Sequence, residues 1–173
     1  HRAIFEKVVE VSSKRALFAV ALTFDKHPSE ILAPERAPSY ISSLDQRIEM
    51  IKNTGIDIVV VAEFNRELAE ISRERFFREI IKSSLNAKVV VVGANFRFGR
   101  GREGDIRYLR GEGAVQGIET VVVSSVIING APVSSTRIRR LLAEGAVSNA
   151  ADLLGHPYIL RGIVTEGRKV GRT

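Results

Sequence analysis

The chain has 173 residues, enough for one domain of ordinary size and the beginning of another. Hydrophobic residues make up 45% of it, but its longest apolar runs are too short to span a membrane. It contains no cysteine, which excludes disulfides and thiolate metal sites and suits a cytoplasmic protein. The net charge is +6 and arginine outnumbers lysine by 19 to 7, so we expect an anionic partner, either nucleic acid or phosphorylated small molecules.

The hydrophobic pattern predicts helices and strands that alternate along most of the chain. Ser43 and Gln46 form a capping box at one predicted helix start, and Gly55 ends that helix. Prolines within the segment Pro28–Pro38 predict a loop after the first strand. In chain order we predict helix 4–13, strand 17–24, loop 25–42, helix 43–55, strand 56–62, helix 72–85, strand 88–92, helix 105–110, strand 118–128, helix 135–143 and helix 149–154.

This order predicts an α/β fold with a doubly wound, mostly parallel sheet and helices on both faces. Ligands of such sheets bind outside the carboxyl ends of the strands. Three polar segments each follow a predicted strand, so we expect them to share one site. The Gly-His-Pro sequence at residues 155–157 resembles a linker, and Tyr158–Thr165 is predicted to begin a new strand. We therefore expect one domain over residues 1–154 and the start of another over residues 155–173.

The first polar segment, Thr23–Pro28, follows the first predicted strand. Asp25 and His27 could build a polar site at the end of that strand. An aspartate that caps the following turn, together with a solvated histidine, would explain the same residues without any binding role. Both interpretations stay open from the sequence alone.

The second segment, Gly93–Gly101, follows the third predicted strand and is more specific. Asn95 offers a donor and an acceptor, Arg97 offers a charge, and Phe96 and Phe98 could supply ring faces for a planar ligand. In an extended segment both phenylalanines lie on one side and Arg97 on the other. The alternative is that the rings hold the loop against the core while the arginines remain in solvent.

The third segment, Val133–Arg140, places three hydroxyls and two guanidiniums at a predicted helix start. A helix start carries free backbone N–H groups and a partial positive charge, so it favours anions. Hydroxyls there can cap the helix or bind a phosphate oxygen, and an arginine fork can hold two oxygens at once. The alternative is a serine cap on a basic surface helix.

Together, Thr23–Pro28, Gly93–Gly99 and Val133–Arg139 resemble the adenylyltransferase module of prokaryotic bifunctional riboflavin kinase/FAD synthetases. The family pattern at these points is approximately T-F-D-x-H-P, then G-x-[DN]-F-[RT]-F-G, then [IV]-S-S-T-x-I-R. The resemblance extends from residue 1 to about residue 154, and the three motifs are specific in combination. Lys26 departs from the pattern, since proline is frequent at that position.

The resemblance implies a Rossmann-like sheet of the nucleotidyltransferase superfamily, with strand order approximately 3-2-1-4-5. His1 stands where the second histidine of the family's H-x-G-H signature would be, so we expect the first strand to be missing and the chain as given to be inactive. The tail Gly162–Thr173 resembles the entry to the riboflavin kinase β-barrel and stops before that domain's P-T-A-N segment.

The resemblance further implies transfer of AMP from ATP to FMN, which gives FAD and pyrophosphate, in a parent protein that also phosphorylates riboflavin. Mg²⁺ would accompany ATP, and no protein side chain is assigned to it. The implied catalytic residues are His1 and Arg139. The implied phosphate-binding residues are Asn95, Ser135, Thr136 and Arg137. The implied flavin-side residues are Phe24, Asp25, His27, Pro28, Phe96, Arg97 and Phe98.

Two alternatives remain. One is another nucleotidyltransferase of the same superfamily that acts on a different phosphorylated acceptor. The other is an arginine-rich module that binds nucleic acid. Against the second, several arginines cluster around one glycine-rich loop, and others alternate with glutamates over residues 66–79 as on a solvated helix face. We therefore expect ATP and FMN as partners, with no nucleic acid and no membrane, and leave the oligomeric state open.

Overall fold

The computed structural model describes residues 1–166, which belong to a first compact unit, His1–Val133, and a second unit that begins at Ser134. The strands of the first unit are β1 (Val20–Phe24), β2 (Ile58–Ala62), β3 (Val89–Gly93), β4 (Glu119–Val123), β5 (Ile127–Ile128) and β6 (Ala131–Pro132). Its helices are α1 (Arg2–Arg15), α2 (Pro28–Leu32), α3 (Leu44–Lys52), α4 (Arg66–Ala69), α5 (Arg73–Arg75) and α6 (Ile106–Gln116), with 3₁₀ turns at Pro34–Arg36 and Arg100–Arg102. The second unit contains α7 (Ser135–Ala143) and α8 (Val147–Leu154).

The main strands of the first unit form two separate parallel pairs. β1 lies beside β2, with Val20 opposite Ile58, and β3 lies beside β4, with Val89 opposite Glu119. Within the described residues β1 and β3 are not hydrogen-bonded to each other, so the single doubly wound sheet that we predicted is divided in two. In the expected order 3-2-1-4-5, β1 and β2 correspond to strands 2 and 3, and β3 and β4 correspond to strands 4 and 5. The two observed pairs are therefore neighbours that this order predicts.

Helix α1 links the two strand pairs. Its inner face packs against a buried cluster that includes Ala21 of β1. Its first turn lies beside the end of β3, where a Cβ atom on Gly93 would come within 3.3 Å of Ile4 Cδ1. Its last residue, Arg15, forms an ion pair of 2.5 Å with Glu119 at the start of β4. The helix therefore runs antiparallel to β3 and β4, with its N-terminus at the carboxyl edge.

The larger hydrophobic core lies around β3 and α6. Phe77 and Leu109 are its most buried side chains, with 2% and 0% exposure, and Val92 of β3 packs beside them. Leu22 of β1 also packs against this cluster, so both strand pairs contribute to one core. Burial of such large apolar side chains is the main term that stabilises the unit.

The helix predicted after Ser72 begins there, because the Ser72 hydroxyl accepts a hydrogen bond from the Arg75 N–H. From Phe76 to Ser84, however, the helix continues as a π-helix. The hydroxyls of Ser83 and Ser84 donate to carbonyls five residues earlier, at 2.8 and 2.7 Å. The apolar spacing of this segment suits either helix type, so the sequence could not reveal the wider one.

The fourth strand is shorter than predicted. β4 ends at Val123, and the remainder of the apolar run belongs to the β5–β6 hairpin, in which Ile128 lies opposite Ala131. Asn129 and Gly130 have φ values of 53° and 71°, the conformation that a two-residue hairpin turn requires. Ser124 and Ser125 interrupt the apolar run directly after the end of β4, and the Asn-Gly pair marks the hairpin turn.

Residues 155–166 contain no strand, so the strand predicted over Tyr158–Thr165 is not observed. Ile163 and Val164 are 92% and 98% exposed, and among residues 1–166 no strand pairs with them. The expected beginning of a β-barrel is therefore not confirmed in these residues. The rest of that predicted kinase entry, residues 167–173, lies outside the described residues.

Candidate active site

The carboxylate of Asp25 holds the turn after β1. Its Oδ1 accepts hydrogen bonds from the backbone N–H groups of Lys26 and Phe64, both at 2.8 Å. Lys26 Nζ lies 3.4 Å from the other carboxylate oxygen. The bond from the Phe64 N–H is the largest influence that lowers the pKa of Asp25 below its ordinary value. Because Phe64 follows β2, this carboxylate ties the ends of two neighbouring strands together.

We expect Asp25→Ala to lower the urea midpoint of unfolding at neutral pH, because two N–H groups lose their acceptor. Asp25→Asn keeps an acceptor oxygen, so it should cost less. Since the folded-state pKa is lowered, the charge contributes stability above the ordinary carboxylate pKa and loses it as the pH falls through the folded value. Urea titrations at decreasing pH should show that the difference in unfolding midpoint between wild type and Asp25→Asn vanishes. A difference that does not depend on pH would contradict this role.

A short helix, α2, begins inside the segment that we predicted to be a loop. His27 is its N-cap and Pro28 is its first residue. His27 Nδ1 accepts a hydrogen bond from the Ser29 N–H at 3.2 Å, so in the neutral ring the hydrogen resides on Nε2. The Glu30 carboxylate accepts from the His27 N–H at 2.8 Å, which completes a reciprocal cap. Histidine is not among the usual capping residues, which is why the helix start was missed.

Tyr40 fixes the same peptide from the other side. Its hydroxyl donates to the Glu30 carboxylate and accepts from the His27 N–H at 2.9 Å. The bond from Tyr40 is the main cause that lowers the pKa of Glu30, and the same bond raises the pKa of Tyr40. Tyr40 was not identified from the sequence, because it lies in an irregular segment where no periodic pattern marks it.

Two further contacts hold the end of β1. The Phe24 ring packs edge-on against Phe64, with ring centroids 5.1 Å apart. Arg47 of α3 reaches back to this turn, and its Nη2 donates to the carbonyls of Phe24 and Asp25 at 2.6 and 3.3 Å. Sequence reasoning missed Arg47. The available signal was a cation near the start of a helix, where the helix dipole favours acidic residues.

Asn95 lies in an exposed turn directly after β3. The Phe96 N–H donates to the Gly93 carbonyl at 3.0 Å and closes this turn. Among residues 1–166 the Asn95 side chain has no hydrogen-bond partner. His1 is exposed at the N-cap of α1, whose first turn lies beside Gly93. His1 and Asn95 are therefore at the same edge of the first unit.

The two phenylalanines of this loop differ in exposure. Phe98 is 6% exposed, and its ring contacts Phe76 and Phe96 at centroid distances of 5.2 and 5.6 Å. Because Phe98 is buried, we favour the interpretation in which its ring holds the loop against the core. A direct contact between Phe98 and flavin is the less favoured interpretation. Phe96 is half-buried at the outer end of the stack. Arg97 is exposed, and its Nη1 lies 3.3 Å from Asp105 Oδ2.

The loop that follows Phe98 rests on α5. The Arg100 N–H donates to the Ile71 carbonyl at 2.7 Å. Gly99 has a φ of 74°, and a Cβ atom there would lie 2.8 Å from the Arg73 backbone nitrogen. The Arg73 guanidinium in turn lies over the Tyr108 ring at 4.7 Å from its centroid. Only glycine allows the loop to approach this closely.

In the second unit, α7 begins as the sequence predicted. The Ser134 hydroxyl is its cap and accepts a hydrogen bond from the Arg137 N–H at 3.2 Å. Ser135 and Thr136 occupy the first two helical positions, and their hydroxyls have no hydrogen-bond partner among residues 1–166. Arg139 is half-buried and follows the buried Ile138. The helix start therefore combines a capped backbone with two hydroxyls that the cap does not use.

Two kinds of site are absent from residues 1–166. No group of three or more His, Cys, Asp or Glu side chains in that range could hold a metal ion. In the same range, no helix has the length and apolar character needed to cross a bilayer.

These features define an α/β protein with polar loops at the carboxyl edges of parallel strands and a helix start that carries two hydroxyls not used by its cap. The chain belongs to the FAD synthetase family, whose model matches residues 1–137. The nucleotidyltransferase interpretation of the sequence is therefore confirmed at the level of the family.

Curated relatives support the same assignment. The chain is 32% identical over 173 residues to the bifunctional riboflavin kinase/FMN adenylyltransferase of Escherichia coli (strain K12), covering 100% of this chain and 55% of that protein. It is 32% identical over 178 residues to the protein of the same description from Listeria monocytogenes, again with 100% and 55% coverage. The chain thus spans about half the length of these relatives.

A solved structure shares the fold. The crystal structure of a macrolide-efflux protein from Streptococcus pneumoniae matches with a TM-score of 0.81 and 27% sequence identity. The match covers 91% of this chain and 51% of that one. The described architecture is therefore one that an experimental structure also contains.

Proposed function

We propose that this chain is part of the FMN adenylyltransferase domain of a protein that also phosphorylates riboflavin. A phosphate oxygen of FMN attacks the α-phosphorus of ATP, the bond from that phosphorus to the bridging oxygen breaks, and FAD and pyrophosphate are released. The family and the curated relatives support this reaction. The structural observation that supports it most is the proximity of His1 to the Asn95 turn at the carboxyl edge of β3.

His1 and Asn95 are proposed to bind phosphate groups in the first unit. Both are exposed, and Asn95 has an amide that no residue among 1–166 occupies. His1 would donate to the ATP phosphates and stabilise the charge that grows during transfer. Such positioned donors accelerate a reaction between two polyanions because they replace water without having to reorganise.

The flavin side is proposed to lie at the turn after β1 and the loop after β3. Phe96 and Arg97 are the residues best exposed for direct contact, through a ring face and a charge. His27 and Pro28 would shape the site through α2. Phe24, Asp25 and Phe98 would act through the contacts that hold these loops, since each already packs or bonds within the fold.

In α7, Ser135 and Thr136 are proposed to bind the β- or γ-phosphate of ATP through hydroxyls that capping leaves available. Arg139 would neutralise the leaving pyrophosphate. Arg137 is a secondary phosphate ligand, because its position varies in the family pattern. The absence of an acidic residue from the first turn of α7 suits an anionic ligand.

Mg²⁺ is proposed to arrive on the ATP phosphates. The carboxylates of the two loops suit it poorly, since Asp25 accepts two backbone N–H groups and Asp105 caps α6 and pairs with Arg97. Bound in this way, the ion would neutralise phosphate charge while keeping water as its other ligands.

The test is a direct comparison of acceptors. The full protein is incubated with ATP, Mg²⁺ and one of FMN, nicotinamide mononucleotide or phosphopantetheine, and products are separated by chromatography. We expect FAD and pyrophosphate with FMN and little product with the others. Preferential adenylylation of another acceptor would assign the chain to a different nucleotidyltransferase. Tight oligonucleotide binding that falls steeply with salt, without any transfer, would favour the nucleic-acid alternative.

A further inference from the structure

Arg47 has an environment that the functions described so far do not explain. Its Nη2 donates to two consecutive carbonyls, 2.6 Å from that of Phe24 and 3.3 Å from that of Asp25. Its Nε is buried and lacks a hydrogen-bond partner among residues 1–166. In the same range no carboxylate lies within ion-pair distance of its guanidinium. The charge therefore faces backbone carbonyls rather than a counter-ion.

A buried donor without a partner costs free energy, and such groups in folded proteins usually have a specific reason. A shorter polar side chain could cap one carbonyl without burying an Nε. Arginine, by contrast, reaches from α3 to the end of β1 with a planar fork, which fixes two carbonyls in one orientation. The arrangement therefore holds the backbone of residues 24 and 25 in one orientation, at a cost to the stability of α3.

The peptide that Arg47 fixes leads directly into the proposed flavin side. The carboxylate of Asp25 is held by the Phe64 N–H on the β2 side, while its carbonyl is held by Arg47 on the α3 side. The following residues, Lys26 and His27, lead from this turn into α2, whose first residue is Pro28. Loss of the Arg47 contact would free the Phe24 and Asp25 carbonyls while the Asp25 N–H stays bonded to the Ala62 carbonyl at 3.1 Å, so the turn would lose part of its support.

We propose that Arg47 is a positioning residue for FMN binding, acting through the Phe24 and Asp25 carbonyls. This inference rests on the proposed function. Because the Arg47 guanidinium donates to backbone carbonyls of the turn after β1, we expect its loss to weaken FMN binding and to leave ATP binding and turnover at saturating FMN nearly unchanged. We expect a displacement of this binding loop to lower the affinity for FMN about tenfold.

The test compares Arg47→Gln and Arg47→Lys with the control Arg36→Gln in the full protein. Arg36 is a suitable control because its side chain is 84% exposed and it pairs only loosely with Glu35 at 3.7 Å. For each variant, KM values for FMN and ATP, kcat and the melting temperature are measured. Flavin fluorescence gives FMN binding without turnover.

We expect R47Q to raise the KM for FMN about tenfold with the KM for ATP within about twofold of wild type. R47K keeps one donor for the Phe24 carbonyl and should recover part of the loss, and R36Q should match wild type. An unchanged KM for FMN in folded R47Q, or equal increases for both substrates, would overturn the proposal. If R47Q does not fold, R47K decides by the same criterion. If the proposed function is wrong, the wild-type protein itself will form no FAD.

Discussion

Replacing Arg139 with alanine in the full protein is expected to lower the rate of FAD formation about a hundredfold or more. The guanidinium would oppose negative charge that grows on the pyrophosphate as its bond to the α-phosphorus breaks. Its contribution is therefore larger in the transition state than with bound ATP, so kcat should fall more than the KM values change. Steady-state assays of FAD formation at saturating ATP and FMN measure this effect.

Arg140→Ala is the matched control for that variant. Arg140 is the next residue of α7, is exposed, and forms a 3.8 Å ion pair with Glu144. Exposed pairs of this kind contribute little to stability, so R140A should retain nearly wild-type turnover. Wild-type turnover in folded R139A would contradict the role of Arg139. Should R139A fail to fold, Arg139→Lys keeps the charge without the fork and should give an intermediate loss.

Gly99→Ala is expected to destabilise the first unit by more than about 2 kcal/mol. The positive φ of 74° disfavours any residue with a Cβ atom. In addition, the new Cβ would lie 2.8 Å from the nitrogen and 2.9 Å from the Cα of Arg73, and backbone atoms cannot move aside as a side chain can. The loop would have to lift off α5, breaking the 2.7 Å bond from the Arg100 N–H to the Ile71 carbonyl.

Gly101→Ala separates the cost of backbone strain from the cost of the steric clash. Gly101 also has a positive φ, 59°, but a Cβ atom there would meet nothing within 4 Å. Its substitution should therefore cost only the backbone strain, about 1 kcal/mol. Urea unfolding of both variants gives the comparison. Equal losses would mean that the loop relaxes away from Arg73 without cost, contrary to the close packing that we describe.

Three helix starts were predictable because their signals are local. Ser43, Ser72 and Asp105 each accept a hydrogen bond from an N–H group three residues later, so the cap and its partner lie within one turn. The first three main strands were found within about three residues of their observed ends, because parallel strands give continuous apolar runs, whereas the fourth was predicted to extend beyond its observed end at Val123. The pairing of those strands was not predictable in this way, because it depends on segments that are distant in the chain.

For the site residues, too, some features were predictable from the sequence and others were not. That Asp25, His27 and the two phenylalanines belong to loops at strand ends followed from the motifs. Their individual positions did not: Phe98 is buried in the core, and the α2 start at His27 depends on Glu30 and Tyr40. A motif specifies which chemical groups are present, but not which of them the fold itself uses.

By itself the sequence determined the family, the alternation of strands and helices, and the supply of hydroxyls, amides and guanidiniums after the strand ends. Only the tertiary structure decided which of these groups are already engaged. Asp25 bonds a residue 39 positions away, and Arg47 bonds a carbonyl 23 positions away. The physical reason is that burial and hydrogen-bond partners depend on contacts between distant segments, and local periodicity carries no information about them.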